Sequence, residues 1–135
     1  MFLLFCLLFS PLEPELKVEF TNLRAAKGNL YVAVYDRADV FLNTKNVRIQ
    51  KIVPISQIGS LKISLGNLPP GNYALSCFHD LNGNGQLDTN WMGIPTEPYG
   101  FSNNARPKFR APKWAEAAFE LNQFGRTISV RLEEW

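Results

Sequence analysis

The chain has 135 residues, 46% of them apolar and 19% charged, with a formal net charge of +2. That length accommodates one domain with a core of its own, and the composition excludes an intrinsically disordered chain. The near-neutral balance argues against a dedicated nucleic-acid binder, which needs a concentrated basic face to neutralise phosphates.

From Phe2 to Phe9 the chain is continuously apolar. This run is far shorter than the roughly 20 residues of a membrane-spanning helix, but it fits the hydrophobic region of a secretory signal, about 7–15 residues. No Lys or Arg precedes it, no small-x-small cleavage site follows, and Pro11 sits badly after a cut. Leu4 and Phe5 are too bulky for a lipobox before Cys6. Residues 1–12 are therefore expected to be a partial signal-peptide-like leader. Residues 13–135 are expected to form a single exported domain, periplasmic or extracellular, monomeric and without a stable membrane span. With the leader removed Cys77 is the only cysteine, so no internal disulfide can form. It reads as a small buried hydrophobe.

Beyond the leader, short alternating runs rich in β-branched and aromatic residues predict strands. Glu15–Leu23 alternates Leu16, Val18 and Phe20 against Lys17, Glu19 and Thr21, and Lys27-Gly28-Asn29 makes a turn into Leu30–Tyr35. Val47–Ile55, Ser60–Leu65, Asn72–His79, Ala117–Leu121 and Thr127–Leu132 follow. The pattern predicts an all-β fold, a seven-stranded antiparallel β-sandwich of immunoglobulin-like kind. A weak helical turn is expected near Pro112–Ala118. Residues 81–114 contain no convincing strand, and a connection that long in a compact domain is commonly functional. Trp91, Met92, Ile94, Tyr99, Phe101, Phe109 and Trp114 are expected to anchor it in an ordered state. The basic cluster Arg106, Lys108, Arg110 and Lys113, interrupted by Pro107 and Pro112, reads as a solvated loop.

The start of that loop carries chemistry. Asp80-Leu81-Asn82-Gly83-Asn84-Gly85 matches the first half of a calcium loop, D-x-[DN]-x-[DN]-G. Calcium takes six to eight oxygen ligands, and alternate side chains of a tightly turning loop can converge on one ion. Asp80, Asn82 and Asn84 would supply three, Gln86 its backbone carbonyl, and Asp88 a ligand at the ninth position. Gly85 permits the turn and Leu87 packs inward. The twelfth position, where a bidentate Glu belongs, is Trp91, and Glu97 is the nearest acid that could fold back. A metal-free hairpin turn would also use Asn82-Gly83 and Asn84-Gly85. It leaves unexplained why Asp80 and Asp88 stand in ligand register.

No catalytic pattern is evident. His79, the only histidine, reads as a structural residue at a strand end, and Ser76, Ser102 and Cys77 lie in no nucleophile motif. The segment from Gly93 to Asn104 combines two prolines with Tyr99 and Phe101. Together with Trp91 and Glu97 it could present a ligand-facing edge or act as a lid over one end of the sandwich.

The run His79-Asp80-Leu81-Asn82-Gly83-Asn84-Gly85 with Leu87-Asp88, then Gly93-Ile94-Pro95 and Glu97-Pro98-Tyr99-Gly100-Phe101-Ser102-Asn103-Asn104, resembles the DUF2141 family of bacterial proteins. The likeness covers most of the chain after the leader and implies export. It departs at Arg106-Pro107-Lys108, where the family has small residues including Gly. Leu68-Pro69-Pro70-Gly71-Asn72-Tyr73 is similar to the strand-entry turn of transthyretin-like and Cna-B-like sandwiches, which bears on fold alone. The expected function is an exported, calcium-stabilised binding or accessory module whose partner is an unidentified ligand or envelope protein. The alternatives are a small periplasmic hydrolase using His79 and a loop acid, and a structural component of a cell-envelope assembly.

Overall fold

The structure, a computed structural model, describes residues 13–135. The expected leader and Cys6 lie outside the described residues. Eight strands are present among them: β1 (Glu15–Leu23), β2 (Asn29–Tyr35), β3 (Ile49–Pro54), β4 (Gly59–Asn67), β5 (Gly71–Asp80), β6 (Tyr99–Phe101), β7 (Phe119–Leu121) and β8 (Arg126–Arg131). A four-residue helix, α1 (Trp114–Ala117), falls within the expected helical turn. No helix among the described residues is long and apolar enough to cross a membrane.

The strands form two sheets packed face to face. One has the order β4-β1-β8, and the other runs β3-β2-β5-β6 with β7 also paired to β5. Alternation dictates the packing: Leu16, Val18 and Phe20 of β1 meet Leu30, Val32 and Val34 of β2 and Leu75 and Cys77 of β5 in one core. Full burial of each large aliphatic or aromatic member contributes roughly 1.5–3 kcal/mol. The sandwich expected from the sequence is therefore correct in class and differs in two particulars. An eighth strand, β6, lies inside the presumed loop; three residues with a central glycine are too short to display alternation. Gly100 stands there because a Cβ would come within 2.7 Å of the Arg131 carbonyl. The pairing is also not wholly antiparallel, since β1 and β8 run parallel from Leu16↔Arg126 to Thr21↔Arg131.

The loop is not pinned by all the aromatic anchors expected of it. Trp91 is 92% and Phe109 85% exposed. Polar bonds hold the segment instead: Asn90 Oδ1 accepts from the N–H groups of Met92 and Ile94, and Asp88 O accepts from Thr96 N. Nor is the basic cluster simply solvated. Arg106 donates to the carbonyls of Tyr99 (2.7 Å) and Glu133 (2.8 Å) and lies 4.0 Å above the Tyr99 ring, tying β6 to the C-terminal segment. The entry to β5 is fastened by Tyr73, whose hydroxyl donates to the Pro69 carbonyl.

Two rows of side chains cross the outer face of the larger sheet. Strand register places Ile52, Tyr31, Phe78 and Tyr99 side by side in one row, and Gln50, Ala33, Ser76 and Phe101 in the next. Asp80, two residues after Phe78, belongs to the same face and ends β5 where the loop begins.

Candidate functional site

The loop grows directly from the end of β5, a central strand, which gives its first residue a rigid base. Asn29 pairs with Asp80, and the Lys27-Gly28-Asn29 turn lies against it. Gly28 has φ +67°, and a Cβ there would sit 2.1 Å from the Asp80 carbonyl oxygen, so only glycine lets the two backbones approach. His79 is buried, with Nε2 2.7 Å from the Lys27 carbonyl oxygen. It fastens the same turn to the strand end.

Asp80 is fully buried, yet only half of its carboxylate is satisfied. Oδ2 accepts a hydrogen bond from the Gly85 N–H at 2.8 Å, closing the loop. Oδ1 is buried with no hydrogen-bond partner. A buried carboxylate oxygen without a donor is costly, because its lost hydration is not replaced. Gly85 has φ +77°, the left-handed conformation that the turn requires at this point.

Asn82, Asn84 and Asp88 come together at the exposed side of the loop. Asn82 Nδ2 donates to Asp88 Oδ2, and Asn84 Nδ2 donates to Asp88 Oδ1 at 2.5 Å. The amide oxygens curl the backbone: Asn82 Oδ1 accepts from Asn84 N (3.2 Å) and Asn84 Oδ1 from Gln86 N (3.0 Å). Among the described residues no three His, Cys, Asp or Glu side chains gather as a metal cluster. The donor set is two carboxylates and two amides, all oxygen chemistry, which suits a hard cation and not a thiolate- or imidazole-seeking one.

Glu97 does fold back, but onto the backbone. It is 4% exposed, and its two oxygens accept from Leu81 N at 2.6 Å and Asp88 N at 3.0 Å. One carboxylate thus clamps both ends of the loop. The sequence offered Glu97 as an acid that could fold back to an ion or belong to a ligand-facing edge; no signal in it pointed to the backbone clamp.

The remaining candidates scatter. Trp91 stands in solvent, while Tyr99 and Phe101 pack edge to face with ring centres 6.0 Å apart on β6. Gln86 is exposed beside the outer sheet face, where Tyr31 and Phe78 stack at 4.9 Å. These last two aromatics were not singled out as functional in the sequence. Ser102 is a buried strut that donates to the Ala117 carbonyl and accepts from Leu75 N at 2.9 Å. Cys77 is buried, and burial pushes its thiol well above the ordinary range, which removes the reactive thiolate.

No curated protein and no solved structure matches this chain, so the transthyretin-like likeness has no structural neighbour behind it. The family model described as "Uncharacterized protein conserved in bacteria (DUF2141)" matches residues 18–129, which takes in the loop, the Glu97 clamp and all of the sandwich but the start of β1 and the end of β8. The chain belongs to the DUF2141 family.

Proposed function

We propose that this protein is an exported β-sandwich binding module whose long loop is stabilised by a calcium ion. The observation that carries the metal is Asp80 Oδ1, a buried oxygen without a donor at the head of a loop whose glycine turn already engages Oδ2. Asp80, Asn82, Asn84 and Asp88 are the side chains that would hold the ion, with the Gln86 carbonyl as a backbone donor. When bound, calcium supplies positive charge to the two carboxylates and fixes the loop; it has no catalytic part in this reading. Export is supported by the apolar run at residues 2–9.

The test is thermal unfolding of the purified domain with calcium and with chelator. Calcium at a hundredfold excess over its dissociation constant stabilises by about 2.7 kcal/mol, which for a domain of this size raises Tm by about 10 °C. Asp80→Ala is expected to abolish the gain, and magnesium to give a smaller one, because it demands a tighter octahedron. Identical melting curves in millimolar calcium and in chelator would remove the ion from the account.

A further inference from the structure

The outer face of the larger sheet is not flat. In the row Gln50, Ala33, Ser76, Phe101 the two central positions are small, whereas the neighbouring row places the stacked Tyr31 and Phe78 beside them. Small side chains between large ones leave a slot. The β2–β3 connection, through Leu42, Thr44 and Val47, rises along one side of it, and Gly85, Gln86 and Leu87 of the Asp80 loop along another. The slot has a volume of about 390 Å³, within the roughly 300–1,000 Å³ of small-molecule sites.

Three observations define its chemistry. No Asp, Glu, Lys or Arg is among the lining residues, so a charged ligand would lose its hydration with nothing to replace it. The walls are aromatic faces and edges, which favour a flat ring in offset or edge-to-face contact. The polar side chains along it, Thr44, Gln50, Ser76 and Gln86, are uncharged hydrogen-bonding groups, which suits a ligand carrying a hydroxyl or carbonyl. Two other occupants fit poorly. An added peptide strand needs a free sheet edge, and β2 and β5 are each paired on both sides. The face of a second copy would be held off the floor by the raised rims.

We infer that the slot between Tyr31, Phe78 and Phe101, floored by Ala33 and Ser76, binds a neutral, ring-shaped small molecule that carries a hydroxyl or carbonyl. This names the ligand class of the binding module proposed above and rests on that reading. The Asp80 loop forms one wall of the slot.

The neutral fluorophore N-phenyl-1-naphthylamine, titrated into the whole protein with and without calcium, tests it. Saturable enhancement at one site is expected, displaced by 2-naphthol more strongly than by naphthalene. Ala33→Leu, which fills the floor, should weaken binding at least tenfold, whereas Phe124→Ser, an exposed apolar side chain in the β7–β8 turn, should leave it unchanged. Should Ala33→Leu fail to fold, amide shift changes in the native protein carry the test, and they are expected at Ala33, Ser76 and Phe101. Binding unaffected by Ala33→Leu, shifts clustered elsewhere, tighter binding of 2-naphthoate or of a methyl glycoside, or slot residues protected only in a dimer would each overturn it. The two proposals separate cleanly. Probe binding by the native protein without any calcium-dependent Tm gain sinks the ion and keeps the slot; a calcium gain without probe binding does the reverse.

Discussion

At the scale of single residues, Glu97 holds the loop as firmly as any ligand would. Its carboxylate receives two backbone N–H groups, from Leu81 and Asp88, and hydrogen bonds to a charged acceptor contribute roughly 1.5–3 kcal/mol each. Glu97→Ala is expected to destabilise the domain by about 3 kcal/mol in urea denaturation, and to do so in chelator as well as in calcium. Glu97→Gln should retain part of that, since its amide oxygen can still accept one of the two bonds. The tight loop after β5 was legible in the sequence because its register is local: Asp80, Asn82, Gly83, Asn84 and Gly85 follow one another at fixed offsets. The clamp was not, because the distance from Asp88 to Glu97 says nothing of where the chain turns back. The slot was less legible still. Ala33 and Ser76 are unremarkable in either strand and become a floor only when β2 pairs with β5.

Among the elements, α1 shows how a helix of four residues persists. Glu116 accepts from Lys113 N at 2.9 Å at the helix start and pairs with Arg110 at 2.6 Å. The Arg110 guanidinium, and after it the Lys113 N–H, hold the Glu116 carboxyl down at about 2. A carboxyl whose folded pKa is depressed stabilises the fold above its ordinary range near 4.5, and that contribution is lost as pH falls from there through about 2. Carbon-detected titration should therefore find the Glu116 midpoint near 2, moving back towards the ordinary range in Arg110→Ala. A midpoint that stays put in that variant would separate the helix start from Arg110. The helix was partly legible, in Pro112-Lys113 followed by Trp-Ala-Glu-Ala. β6 was not, because Tyr-Gly-Phe has too few residues for a period, and its pairing with β5 comes from the sheet.

For the whole molecule, the closing contact is Arg106. It joins β6 to the segment after β8 through the carbonyls of Tyr99, Glu133 and Glu134 and through the Tyr99 ring. Lysine cannot reproduce a planar fork with several donors, so Arg106→Lys is expected to cost about 2 kcal/mol by urea denaturation. It should also raise amide exchange at Glu133 and Leu132 before elsewhere. The two-sheet architecture was evident from alternating runs along the chain, but the placement of β8 was not. Alternation shows which side of a strand is buried and is silent on which strand lies beside it, or in which direction. That direction has a mechanical consequence. Because β1 and β8 run the same way over six consecutive pairs, tension applied through the segments entering β1 and leaving β8 pulls the two strands past each other lengthwise. Their hydrogen bonds are then loaded together and must break as a set, whereas a hairpin under the same pull opens one rung at a time. A pull along the chain therefore meets its resistance at this pair.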